Sequence, residues 1–165
     1  MLRATSSRVG LLSVRYEVRA SGHPVTDWTA RHWQQHRDLL IEGSPYALRS
    51  EGIARFGLEG DVRARCLRSA DGPPSQRYWN LEAGEVRYRL AGSGVGRRFA
   101  LLTPADAVNE AGRIWRIGTL RPSYAAELPG ALPMPVQVFV LWIAMAIWRA
   151  SVAAARATLA TTAGQ

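Results

Sequence analysis

Between Pro133 and Arg149 the chain reads PMPVQVFVLWIAMAIWR, and from Val136 to Trp148 only Gln137 is polar. A helix with this composition carries apolar side chains on every face. It has no stripe to offer to water and must be surrounded. About 13 residues make roughly 20 Å of helix, short of the roughly 30 Å hydrocarbon core of a bilayer. The stretch therefore predicts a buried core helix over about residues 135–149. Pro129, Pro133 and Pro135 end whatever precedes it and open its first turn, where a missing N–H costs nothing. The alternative is a tail-anchored membrane protein, with a span over about residues 132–148, Arg149 at the interface and a cytosolic β-domain. Tilt, bilayer thinning and snorkelling are the means by which a short span is accommodated.

The rest of the chain has to supply the wrapper, and its patterning is that of strands. LSVRYEVRA alternates, with Leu12, Val14, Tyr16 and Val18 on one face and Ser13, Arg15, Glu17 and Arg19 on the other. Val25–Ala30 forms a second strand, and Asp38–Glu42 fits a strand better than the end of a short helix. Regular spacing follows, with strands over Tyr46–Arg49, Ala54–Leu58, Val62–Arg68, Arg77–Leu81, Val86–Leu90, Arg98–Leu102, Ile114–Leu120 and Tyr124–Leu128. Between them lie turn compositions such as Gly43-Ser44-Pro45, Glu59-Gly60-Asp61, Asp71-Gly72-Pro73-Pro74 and Ala83-Gly84. Thr103–Glu110 is the longest loop expected. The fold class is mainly β, a closed antiparallel barrel of about 10–12 strands around the C-terminal hydrophobic helix. A smaller barrel is filled by its own side chains, whereas about eleven strands enclose a helix roughly 10 Å across. One domain over residues 9–157 is expected, with flexible termini at 1–8 and 158–165.

The strand and turn units ending in GRIWRIGTLRP (Gly112–Pro122), followed by AELPGALPMPVQVFVLWIAMAIWR (Ala126–Arg149), resemble the tubby C-terminal-like superfamily, which includes tubby proteins, phospholipid scramblases and the plant LURP-one-related proteins. The resemblance is one of pattern over most of the chain. It implies a closed barrel of about twelve strands around a C-terminal helix, and a domain that binds or scaffolds, often near membranes. The phosphoinositide site of tubby proteins does not carry over residue by residue to a chain without lysine, and no acidic calcium loop of the scramblase kind is present.

Charge bears on partners. The 165 residues include 21 basic ones, all arginine, against 13 acidic ones, for a net charge of +8. If Val62, Ala64 and Cys66 point inward, Arg63 and Arg65 point outward; by the same alternation Arg87, Arg89 and Arg98 do too. These five form the candidate anion-binding patch. Its expected partners are anionic membrane lipid or an acidic protein. Specific nucleic-acid binding is not expected, and neither is an oligomer.

No cofactor or metal site is expected, and no enzymatic activity. His32 and His36 stand i, i+4 as in helical zinc sites, but neither a glutamate nor a third ligand accompanies them. Gly92-Ser93-Gly94-Val95-Gly96 has the composition of a phosphate loop, yet both flanks read as strands, so a hairpin connection is expected. Cys66 alternates with Val62 and Ala64 and is expected to be buried and inert. It excludes a disulfide framework and fits a reducing, cytoplasmic setting. The six tryptophans, Trp28, Trp33, Trp79, Trp115, Trp142 and Trp148, are expected in the core.

Overall fold

The computed structural model describes residues 1–11, 13–30, 36–71, 76–104, 109–118 and 122–163. Expectations concerning Leu12, His32, Trp33, the turn at 72–75, the middle of the loop after Thr103 and the strand end at 119–120 lie outside the described residues.

The strands are β1 (Leu2–Val9), β2 (Ser13–Ala20), β3 (His23–Ala30), β4 (His36–Ile41), β5 (Ser44–Glu51), β6 (Arg55–Glu59), β7 (Ala64–Arg68), β8 (Arg77–Ala83), β9 (Val86–Gly92), β10 (Arg98–Leu102), β11 (Glu110–Ile117) and β12 (Ser123–Glu127), followed by α1 (Met134–Ala163). All twelve belong to one antiparallel sheet in the order β3-β2-β1-β12-β11-β10-β9-β8-β7-β6-β5-β4. The sheet therefore curls into a nearly closed barrel whose seam lies between β3 and β4. There the Glu42 N–H donates to the Val25 carbonyl at 3.0 Å, and the Arg37 guanidinium donates to the Thr29 carbonyl at 3.1 Å.

Local chemistry explains the tightest hairpins. Ser21-Gly22 and Glu42-Gly43 are two-residue turns, and all four residues have positive φ. That is the turn whose twist matches antiparallel strands, and its second position is glycine in both cases. One register shift, between Val18 and Arg19, lets both Val25 and Thr26 face inward from β3.

The helix fills the barrel as its composition demands. Val136 and every residue from Val138 to Trp148 are no more than 2% exposed. Gln137, the polar exception, is half-buried and donates its side-chain amide to the Leu132 carbonyl at 2.8 Å. By length and composition the same helix would also serve as a span, with a mean hydropathy of 1.9 over an 18-residue stretch within Met134–Thr162. Here its apolar half meets protein instead. Phe56 and Phe139 pack on Trp142 at centroid distances of 5.8 and 6.4 Å. Phe99 and Tyr124 hold Trp148 at 5.0 and 5.6 Å.

Three expectations are corrected. The first eight residues are not a loose arm: β1 is paired with β2 along its whole length and with β12 at Leu2–Ala4. Burial of Leu2 and Ala4 and closure of two sheet edges favour this strand, although Ser6 and Ser7 blur its alternation. Nor do residues 158–163 form a flexible end, because the helix continues far past its buried part at residue 149. It runs for 30 residues to Ala163 and projects out of the barrel. Its alanine-rich outer half has high helix propensity and inherits a preformed nucleus from the buried turns. Trp115 is not a core residue: Ile114 points inward, so its neighbour stands on the outer wall, half-buried under the Arg113 guanidinium at 5.4 Å.

Candidate functional site

The antiparallel meander assigns every residue a height along the barrel. The helix enters at what we call the bottom rim, after β12, and leaves at the top rim. Odd-numbered strands run upward and even-numbered strands downward, because β12 ends where α1 begins. Charge is distributed unequally between the two ends. Arg8, Arg37, Arg55, Arg68, Arg77, Arg97, Arg98 and Arg116 lie at the top ends of strands or in the adjoining connections, and Arg149 sits where the helix leaves; Glu51 and Asp71 are the acidic residues there among the described ones. The bottom rim is close to balance: it carries Glu42, Glu59, Asp61, Glu82, Glu85, Glu110 and Glu127 against Arg3, Arg19, Arg63, Arg65, Arg87 and Arg113, and the Arg98 side chain reaches down from the top to pair with Glu110.

At the top rim the aromatic wall and the arginines meet. Arg149 donates a hydrogen bond to the Tyr16 hydroxyl and lies 5.6 Å from that ring's centroid, and Tyr16 packs on Trp28 at 5.6 Å. Burial, and then the like charge of Arg149, hold Arg37 below the usual arginine range. Burial and the neighbouring Tyr16 push the Tyr124 hydroxyl up to about 12, partly offset by Arg149 and Arg116. Arg8, Arg68, Arg77 and Arg97 stand exposed and make no ion pair with any described residue.

The glycine-rich connection between β9 and β10 is part of this rim and has a packing role. A Cβ on Gly94 would fall 1.7 Å from the Ser151 hydroxyl oxygen, and one on Gly92 would fall 2.4 Å from the Phe99 ring. The Trp148 indole donates to the Gly96 carbonyl at 2.7 Å. The loop thus clasps the helix as it emerges, with strands on both flanks as expected.

The five arginines singled out in the sequence are not one patch. Strand register places Arg65, Glu82 and Arg87 in a single outward row across β7, β8 and β9. Arg89 lies one outward position higher, opposite Asn80, with its guanidinium 5.2 Å from the Tyr78 ring centroid. Arg63 precedes β7 at the bottom. Arg98 opens β10 at the top, four residues above the position that faces Arg89, which is about 13 Å along a strand. A carboxylate already holds two of them: Glu82 accepts from Arg65 at 2.6 Å, and Glu110 accepts from Arg98.

Sequence reasoning missed that the Arg65 row continues beyond β7. His36, Arg49, Gly57, Arg65, Glu82 and Arg87 are successive cross-strand partners on β4 to β9. Alternation shows each of them facing outward; only the register shows that they are neighbours.

Other candidates are settled by position. His36 lies on a strand, where i, i+4 does not make a helical face, and it approaches Asp38 at 3.1 Å. Among the described residues no group of three or more metal-ligating side chains converges. Cys66 is fully buried between Phe56 and Leu81, and burial pushes its thiol far above the usual range. It should resist iodoacetamide in the folded protein at neutral pH and be alkylated once denaturant opens the barrel, as mass spectrometry would show.

Comparison with family models, with curated proteins and with solved structures finds no match.

Proposed function

We propose that this chain is a non-enzymatic binding domain of the tubby-like kind, which docks on anionic phospholipid through its top rim. The observation that carries this reading is the charge polarity along the barrel axis, with arginine gathered at the end where the helix emerges. Each arginine brought to an anionic surface contributes about 1 kcal/mol. Those that lack a carboxylate contribute most, which favours Arg68, Arg77 and Arg97 over Arg65 and Arg98. The bottom rim, where carboxylates and arginines nearly balance, then points away from the surface, so the field orients the protein as well as attracting it.

Flotation with vesicles tests this. The protein should float with phosphatidylcholine vesicles that contain phosphatidylserine and not with phosphatidylcholine alone, and added salt should release it. Arg68→Glu, Arg77→Glu and Arg97→Glu together should weaken binding by about a hundredfold or more at roughly 1 kcal/mol per arginine. Arg87→Glu on the bottom rim should leave it unchanged. Equal flotation with neutral vesicles would sink the reading. Retention in cell membranes through an alkaline wash would replace it with the tail-anchored alternative, in which residues 132–148 leave the barrel.

A further inference from the structure

On the outer wall of the barrel, below Arg55 and Glu51 of the top rim, Gly57 interrupts the charged row. It faces outward from β6 between Arg49 on β5 and Arg65 on β7, each its direct cross-strand partner. A Cβ built on Gly57 meets nothing within 4 Å. The missing side chain leaves a trough of about 690 Å³ walled by Arg49, Arg55, Arg65 and His36, with Leu67 opposite Arg55 and diagonal to the glycine, and Glu51 at one end. That volume lies within the range of small-molecule sites. We propose that this trough binds a phosphate ester with a flat apolar substituent, the phosphate lying between Arg49 and Arg65 and the substituent resting on Gly57 and Leu67.

Three features support that chemistry. Arg49 and Arg65 are two strands apart, about 10 Å between backbones, a gap that one tetrahedral dianion bridges by taking the remaining Nη1 donors of Arg65, whose Nε and Nη2 face Glu82, together with those of Arg49. Both guanidiniums are anchored from outside the trough, Arg49 to Glu59 at 3.1 Å and Arg65 to Glu82 at 2.5 Å. An arginine has five N–H donors, so such a partner positions the fork and leaves donors for a ligand. Long-range attraction to a membrane is cancelled by those carboxylates, whereas short-range hydrogen bonding is not. Finally, glycine backbone and a leucine side chain at the bottom of the trough give a ring an apolar surface that a purely ionic site would lack.

Arg55 and Glu51 belong to both the rim and the trough, so the two readings are separated by Gly57→Leu and Arg49→Gln, which leave Arg68, Arg77 and Arg97 of the rim in place. Calorimetric titration with phenyl phosphate at low salt should give saturable binding to the wild type. The Cβ of Gly57→Leu meets no neighbour and its outer atoms enter the trough, so the variant should keep the wild-type thermal midpoint and weaken binding at least about tenfold, the scale of losing a charge-assisted contact. Arg49→Gln should do the same, and Glu51→Gln, which removes a like charge from the trough, should tighten binding. Inorganic phosphate should bind about tenfold more weakly than phenyl phosphate because it lacks the ring. Wild-type affinity in Gly57→Leu, or equal affinity for both phosphates, would overturn the proposal. So would phosphate recognition seen only on vesicles of phosphatidic acid and undiminished by Gly57→Leu, since the lipid headgroup would then be bound elsewhere.

Discussion

Ile143→Asp should abolish folding of the whole domain. Ile143 is fully buried at the middle of the apolar stretch of α1, and all of its helical neighbours from Val138 to Trp148 are buried with it. Deleting the apolar side chain alone costs about 2–5 kcal/mol. The carboxylate adds several more, because no water reaches the site and the aromatic and aliphatic wall offers no cation. Against a total stability of about 5–15 kcal/mol for a natural domain, the sum removes the folded state. The expected outcome is an insoluble protein, or a soluble one with no cooperative thermal transition by circular dichroism. Ile143→Val, which keeps the apolar face, should cost only about 0.5–1.5 kcal/mol. A wild-type thermal midpoint in Ile143→Asp would mean that the helix does not reside in the barrel in solution.

Trp148→Ala should have the next largest effect, and for a different reason. This side chain closes the top of the core: it stacks on Tyr124, meets Phe99 edge-on and bonds to the Gly96 carbonyl. Truncation to alanine costs about 3–5 kcal/mol in lost packing, and the orphaned carbonyl adds to this unless water replaces the indole. At about 2–4 °C per kcal/mol for a chain of this size, the melting temperature should fall by roughly 6–20 °C. Trp148→Phe keeps an aromatic ring and loses the hydrogen bond, so it should fall between the two. If alanine and phenylalanine proved equally mild, the glycine-rich loop would not be clasping the helix as described.

Both predictions concern the part of the molecule that composition alone made legible. A run in which Gln137 is the only polar residue between Val136 and Trp148 has to be enclosed whatever encloses it, and the prolines before it mark where the helix begins. The alternating strands were readable for the same reason: burying one face of a strand imposes a period of two. Where that contrast weakens, so does the signal. β1 has small and polar residues on both faces over Ser6 and Ser7, and only its place between β2 and β12 shows that it closes the barrel. The outer half of α1 has no apolar stripe and stays helical because alanine favours it and the buried half has already nucleated it.

The candidate sites were legible only in part. Alternation correctly turns Arg63, Arg65, Arg87, Arg89 and Arg98 outward, and it cannot tell which of them touch. Arg65 and Arg87 share a row with Glu82 between them, while Arg98 belongs to the opposite rim from Arg87. Trp115 was misassigned because aromatic character suggests burial, whereas its parity relative to Ile114 puts it outside.

By itself, then, the amino-acid sequence determined a β wrapper around a buried C-terminal helix, the inward and outward faces of most strands, and a strongly basic balance. These are properties of single segments, and hydrophobic periodicity encodes them residue by residue. Only the tertiary structure decided the barrel's closure at β1 and β12, the gathering of arginine at the rim where the helix leaves, and the row that sets Gly57 between Arg49 and Arg65. Those depend on register, which pairs residues far apart in the chain, and the period-two pattern says which face a side chain takes but not which neighbour it meets.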